Sequence, residues 1–460
     1  MIRSALGYLV ALDGYPRRFH LPEIVGCLIR TRSGGHDYEG LSYTSDVPFV
    51  ILDVNPLRSI KIDIENETAW VEAGATLGEL YYNIAHKSKV HAFPAGVCAT
   101  LGTGGHFSGG GYGNLMRKYG LSVDNIVDAL MVDANGEILN RETMGEDLFW
   151  AIRGGGGASF GVILAWKIAL VRVPEKVTVF RIGRTLEEGA TDVVYWWQHI
   201  APHLDRNLFI RVMPVVVNST QTNKKTIKVS FIGLFLGRTG RLLSLMAKSF
   251  PQLNQQRNDC REVSWLVSTL LWANLPESDA GILLERPSGP RNFFKSKSDF
   301  VNEAIPKEGL ESIWEMMLRN GNLWMQWNPY GGRMSEIASN ATAYPHRAGY
   351  LFKIQYYAGW EDDRIDAKAK LRSARVFYAG MAPHVTKNPR LAFQNYRDLD
   401  IGRNPSNRTN IKKAKVYGEK YFKDNFLRLT QVKARVDPGN FFRHEQSIPP
   451  FHEKFACLRA

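Results

Sequence analysis

The 460-residue sequence predicts an α+β protein in two parts, and three observations predict it. The length exceeds what one hydrophobic core usually organises. Residues 47–173 interleave short strands with glycine-dense loops, whereas the region after Pro174 alternates long strands with amphipathic helices, the pattern of an antiparallel sheet backed by helices. Hydrophobic residues make up 44% and charged residues 22% of the chain, the balance of a folded globular protein.

The elements follow in order. VPFVILDV, SIKIDI and TAWVEAG between Val47 and Gly74 read as strands, with Asn66 in a polar turn. Thr76 and Glu79 form a capping box ahead of the helix LGELYYNIAH. Ile126 to Asp133 is an apolar strand, turned back at Ala134-Asn135-Gly136 into a hairpin. Asp147 is placed to cap the short helix DLFWAI, after which GVILAWKIALVRV reads as one long strand ending at Pro174. LFIRVMPVVV and TIKVSFIGLFLG are strands of the second part, and TGRLLSLMAKSF and GLESIWEMMLRN its helices. From Lys415 to Val436 the spacing predicts a single helix with Tyr417, Tyr421, Phe422, Phe426 and Leu429 in the core, ended by Asp437-Pro438-Gly439.

The net charge of +13 is spread without a dense basic run interleaved with aromatics, which argues against a nucleic-acid partner and suits attraction to an acidic matrix. Cys27, Cys98, Cys260 and Cys457 show no CxxC pair and no Cys/His zinc spacing, so no metal site is expected. No run of 18 apolar residues is present, so no membrane span is expected, and the opening MIRSALGYLVALDG makes a poor signal peptide. Sequons at Asn66, Asn218, Asn340 and Asn407 nonetheless point towards the secretory pathway.

Two segments carry chemistry. In Arg32-Ser33-Gly34-Gly35-His36-Asp37-Tyr38-Glu39-Gly40, paired glycines let successive N–H groups turn towards an anion such as a diphosphate. The segment lacks the Lys-Ser/Thr of a Walker loop and is not GxGxxG; read alone it is a glycine turn with a polar histidine. Ala95 to Gly113 is so rich in glycine that a core strand would not tolerate it, and such backbone suits wrapping a large flat ligand. A lone cysteine in such a loop, Cys98 here, is by chemistry alone more often inert than reactive.

Together, SGGHDYEG and GVCATLGTGGHFSGGGYG resemble the paired flavin-attachment loops of berberine bridge enzyme and its plant relatives. The similarity continues through DLFWAIRGGGGASFGV, NPYGGRMSEI, PHRAGYLFKIQYY, NYRDLDIG, YFKDNFLRL and VDPGNFFRHEQSIPP, covering nearly everything after Arg32. The resemblance implies an FAD-binding domain of the p-cresol methylhydroxylase type at 1–174, a substrate-binding domain at 175–408, and a C-terminal segment at 409–460 that returns to the first domain. It implies FAD held by two covalent bonds, from His36 to the 8α-methyl and from Cys98 to C6 of the isoalloxazine ring. Two bonds would fix the ring and raise its potential as a hydride acceptor. Arg32, Ser33, Gly34, Gly35 and Asp37 of the first loop are implied to meet the diphosphate and ring edge, as are Gly102, Thr103, Gly104, Gly105, His106, Ser108, Gly109, Gly110 and Tyr112 of the second. His106 serves there either the cofactor or a structural hydrogen bond.

On the substrate side the resemblance points to Tyr38, Tyr112, Lys353, Gln355 and Tyr396 before flavin N5. Alcohol oxidation needs a base for the hydroxyl proton, and a tyrosinate of Tyr112 or Tyr396 serves if a cation such as Lys353 lowers its pKa. Berberine bridge enzyme has a glutamate where Gln355 stands, which turns the expectation from alkaloid ring closure to oxidation of a monolignol-like primary alcohol, or of a carbohydrate. Phe393 replaces a tyrosine common in the motif, and Leu101, bulky at a position that governs oxygen access in relatives, implies slow reaction with oxygen. Oxygen or another acceptor takes the electrons, and a monomer secreted to the cell wall is expected. Only 31 residues precede Arg32, so much of the strand-helix-strand unit that helps enclose the adenine in relatives is expected to be missing; a flavin-binding protein with little turnover is the alternative this raises.

Overall fold

In the computed structural model, residues 27–221, 224–286, 292–321, 323–361, 367–405 and 409–451 are described. The opening segment to residue 26, the sequon at Asn407 and Cys457 lie outside them.

The chain enters through β1 (Leu28–Arg32), paired parallel with β2 (Phe49–Asp53), so that the first glycine loop leaves the C-terminal end of β1. The sequence reading had assigned β2 but not β1. A five-stranded sheet follows, in the order β3 (Ile60–Asp63), β4 (Thr68–Glu72), β8 (Val162–Ala169), β6 (Ile126–Val132), β7 (Ile138–Leu139), antiparallel throughout. The expected strand to Val173 breaks at Leu170, and β9 (Val171–Arg172) pairs with β5 (His91–Ala92) instead. The Thr76–Glu79 capping box starts α1 (Leu77–Lys87) as expected, and α2 (Thr103–Ser108) carries part of the second glycine loop.

Two expectations are corrected. α3 (Arg141–Ile152) is capped by Asn140 with Thr143, and Gly145 at φ 72° breaks it before the DLFWAI turn. Asp147 does not cap because its carboxylate is taken by Arg428 and Arg435. The single C-terminal helix is two, because Lys423 at φ 49° stops the first turn sequence. The break lets the ring of Phe426 pack on Gly418, where a Cβ would stand 2.3 Å from it.

The second sheet has seven strands, in the order β13 (Cys260–Val263), β10 (Val177–Thr185), β12 (Lys225–Phe235), β11 (Leu208–Asn218), β15 (Leu323–Pro329), β16 (Phe352–Trp360), β14 (Phe293–Val301), all neighbours antiparallel. Val212, Trp327, Phe352 and Ile354 turn to one face and share a core with Trp197 and Trp314 of the helices Ala190–Ile200 and Lys307–Asn320. Period-two alternation then forces Arg211, Gln326, Asn328, Lys353 and Gln355 onto the opposite face. The first sheet and the C-terminal residues Ala414 to Ile448 share the other core. No helix among the described residues is long and apolar enough to cross a membrane.

Candidate active site

A cavity of about 320 Å³ lies between the two glycine loops and the polar face of the second sheet. The loops touch each other glycine to glycine. A Cβ on Gly34 would stand 2.3 Å from the Gly102 nitrogen, and one on Gly102 would stand 2.2 Å from the Gly34 nitrogen and the Ser33 Oγ. Ser33 Oγ donates to the Ala73 carbonyl at 2.5 Å and holds the first loop on the first sheet. Gly104 abuts Ala73, and Gly109 abuts the Asn395 amide. These glycines line the cavity and are also demanded by protein packed on protein, a second role that the sequence alone does not show. Gly34→Ala is expected to destabilise the fold by about 1–3 kcal/mol, the usual penalty of overpacking, read as a lowered Tm.

Gly105 differs. It lines the cavity, and a Cβ there would meet nothing within 4 Å. The wall also includes two arginines, Arg30 buried and Arg397 half-buried, with N–H groups that no described residue accepts, Nε and Nη1 of Arg30 and Nη1 of Arg397. Open glycine backbone with unspent guanidinium donors fits a flat cofactor bearing acceptor oxygens.

His36 and Cys98, on different loops, share one neighbour: Thr100 Oγ1 is 3.0 Å from His36 Nε2 and 3.5 Å from Cys98 Sγ. Surrounding protein, and next the positive charge of Arg286, lower the pKa of His36, so its imidazole is neutral at pH 7 and nucleophilic. His106 is held far lower, to about 3, chiefly by burial; its Nε2 accepts the Gly96 N–H at 2.9 Å, which secures the cysteine loop.

Tyr38 is carried by a loop that grips the segment bearing Tyr396. On one side of Tyr38, Asp37 Oδ2 accepts from Arg397 Nε at 2.8 Å; on the other, Glu39 Oε1 accepts the Leu399 N–H at 3.0 Å and pairs with Lys295. The two phenol rings stack at 5.3 Å with planes 7° apart. Asp398 in turn pairs with Lys295 and Lys297, so the charges are buried in compensated pairs.

The oxygens of Tyr112 and Tyr396 are in direct contact on the cavity wall. Gln326 Nε2 lies 2.8 and 2.9 Å from these two oxygens and 2.5 Å from Gln355 Oε1, its two hydrogens shared among the three acceptors; Gln355 Nε2 donates to Tyr38 Oη at 2.9 Å. The antiparallel register sets Gln326 opposite Gln355 and Asn328 opposite Lys353. Lys353 Nζ lies 3.2 Å from the centroid of the Tyr112 ring and 3.7 Å from that of Phe393, and no described residue accepts its protons. The lysine therefore acts on the face of the ring and not on the phenol oxygen, which corrects the ion pair expected from sequence. Burial raises the pKa of Tyr38, Tyr112 and Tyr396 and, with Arg211 adding to it, lowers that of Lys353. Arg211, with Nε donating to Asn328 Oδ1 at 2.7 Å, is the foremost influence opposing the rise at Tyr112.

Arg211, Gln326 and Asn328 were missed from sequence, although each is a polar residue at the fixed spacing of an otherwise apolar strand. Four sequence candidates stand off the cavity wall, Lys353 over the Tyr112 ring among them. Arg32 pairs with Asp53, Thr103 spends its hydroxyl on the Glu72 carbonyl at 3.0 Å, and Gly110 sits at φ 127° against Tyr344 and Phe393.

Residues 25–141 match the family model described as FAD binding domain, and residues 392–449 the one described as Berberine and berberine like. The chain is 58% identical over 428 residues to berberine bridge enzyme-like 4 of Arabidopsis thaliana, covering 92% of this chain and 81% of that protein. Among solved structures it is similar to Phl p 4, a grass pollen allergen with glucose dehydrogenase activity, at TM-score 0.88 and 43% identity, covering 93% of this chain and 87% of that one. Berberine bridge enzyme from Eschscholzia californica matches at TM-score 0.88 and 41% identity, covering 92% and 85%.

Proposed function

The chain belongs to the berberine bridge enzyme-like family of FAD-linked oxidoreductases acting on alcohol groups, and from that premise we propose that it oxidises a monolignol-like primary alcohol, with the Tyr112–Tyr396 pair taking the hydroxyl proton. The observation that carries the reading is the contact of those two phenol oxygens on the cavity wall, with the Gln326 amide fixing both. Bound FAD supplies the hydride acceptor. A substrate hydroxyl on this oxygen pair gives its proton to the phenolate as the C–H bond weakens. Gln326 holds the accepting oxygens still, and Gln355, an amide that cannot ionise, orients Tyr38 against Tyr396 without competing for the proton. Phenolate charge on Tyr112 is steadied by the field of Arg211 and by Lys353, whose Nζ stands over the ring and is drawn most to an electron-rich face.

His36 and Cys98 tether the flavin in this reading, supported by their common contact with Thr100 and by the neutral state of His36. Because His36 Nε2 is engaged by that hydroxyl, Nδ1 is the nitrogen left to attack. Leu101 lines the cavity three residues beyond Cys98 and restricts oxygen. Reduced wild-type enzyme is expected to reoxidise more slowly than it turns over with an artificial acceptor, and Leu101→Gly to react with oxygen about tenfold faster, some 1.4 kcal/mol of barrier, measured by stopped flow. Asn66, Asn218 and Asn340 are exposed, which supports glycosylation in a secreted chain.

A sugar hydroxyl is the second reading, favoured by the 43% identity to a glucose dehydrogenase. Anaerobic addition of coniferyl alcohol is expected to bleach the flavin band. Bleaching by cellobiose alone selects the second reading, and bleaching by neither rejects both.

A further inference from the structure

Thr100 is two residues from Cys98, yet its hydroxyl crosses between loops to reach a histidine 64 residues earlier in the chain. One oxygen thus touches the Cys98 sulfur, at 3.5 Å, and the His36 nitrogen opposite the one left to attack, Nε2, at 3.0 Å. We propose that Thr100 is a positioning residue for covalent flavin attachment, its hydroxyl setting the tautomer of His36 and the direction of the Cys98 sulfur; the inference rests on the two-tether reading above.

A neutral imidazole attacks through the nitrogen that carries no hydrogen, and the partner of the other nitrogen decides which one that is. With Nε2–H donated to Thr100 Oγ1, the lone pair is at Nδ1. The threonine hydrogen is then free to be donated to Cys98 Sγ, which fixes where the remaining sulfur lone pairs point. The arrangement is a closed row, N–H to O–H to S, in which no group has two hydrogens facing one another. In each attachment the residue's N–H or S–H and one flavin C–H would be exchanged for the new bond, two protons leaving to solvent and two electrons staying on the flavin until the acceptor of its catalytic cycle reoxidises it; nothing is transferred through Thr100. Its part is to keep both nucleophiles pointed from separate loops at one ring, and reacting atoms misplaced by about 1 Å lose rate steeply. The loops themselves are held by other contacts, the Gly34–Gly102 approach and the bond from Ser33 to Ala73, so the hydroxyl is not needed to keep them together. A purely structural threonine would be replaced by its isostere valine without consequence for attachment.

The full chain is produced with flavin as wild type, Thr100→Val and Thr100→Ser, each digested, and the flavin-bearing peptides that contain His36 and Cys98 are quantified by mass spectrometry. Wild type and Thr100→Ser are expected to carry flavin on both peptides. Thr100→Val is expected to retain flavin but to show about tenfold less of the His36 adduct, the size of effect that one lost hydrogen bond gives, with the Cys98 adduct reduced less. Wild-type occupancy of His36 in Thr100→Val overturns the proposal, as does loss of the adduct in folded Thr100→Ser. Thermal unfolding checks that each chain folds, and Thr100→Ala replaces the valine variant, with the same expectation, should that one fail to fold. Wild type with flavin on neither peptide instead rejects the two-tether reading, an outcome distinct from any difference between variants.

Discussion

Tyr112→Phe is expected to lower the rate of flavin reduction by about 10²–10⁴-fold, the range for losing a positioned base, while leaving flavin content unchanged. The substitution removes one atom, the oxygen that touches Tyr396 Oη and accepts from Gln326 at 2.8 Å. The ring stays beneath Lys353, so packing is kept. Tyr396→Phe is expected to act alike, and the double variant to be little worse than either single one, because groups that work as a unit lose their effect together. The pH dependence has a definite sign. Burial holds Tyr112 and Tyr396 above the ordinary phenol value, so the basic form gains population as pH rises. Wild-type reduction should climb across the alkaline range, and Tyr112→Phe should lose that climb. Single-turnover reduction under anaerobic conditions, followed as a function of pH, measures both.

Lys353→Met is expected to slow reduction at neutral pH by about 30-fold, the equivalent of about 2 kcal/mol for a desolvated cation over an aromatic face. While the phenol is neutral, burial and the charge of Arg211 both oppose protonation of the lysine. A phenolate ring 3.2 Å below works against both, so the lysine contributes to the phenolate state alone. Removing the amine leaves the phenolate with Arg211 alone. Its pKa rises further, and the alkaline limb of the rate profile moves to higher pH. An unmoved limb with a lowered plateau would assign Lys353 to substrate placement instead.

The local parts of the architecture were legible in the sequence. The Thr76–Glu79 box and the turn after Val132 are set by residues three or four apart, and the structure has both. Failures came where distant residues decide. Asp147 looked like a cap until Arg428 and Arg435, nearly 300 residues on, claimed its carboxylate. The helix after Ile411 had no helix breaker to mark its end, yet it ends at Lys423 so that Phe426 can fold onto Gly418. The same holds at the site. The two loops were found from sequence because their glycines and nucleophiles are contiguous, but the reason for Gly34 and Gly102 is mutual contact, which no single loop displays. Arg211, Gln326 and Asn328 come to the tyrosines only through strand register, and register is a property of paired strands. The position of Lys353 over a ring face could likewise be known only once Tyr112, from the other core, had been packed beneath it.

The most direct test of the central claim is acid precipitation of purified wild-type protein followed by absorbance of pellet and supernatant. The two-tether account predicts that the yellow chromophore stays with the denatured chain, and that it is released to the supernatant only when both His36→Ala and Cys98→Ala are combined. A wild-type pellet that is colourless, with the flavin recovered free in solution, would contradict it.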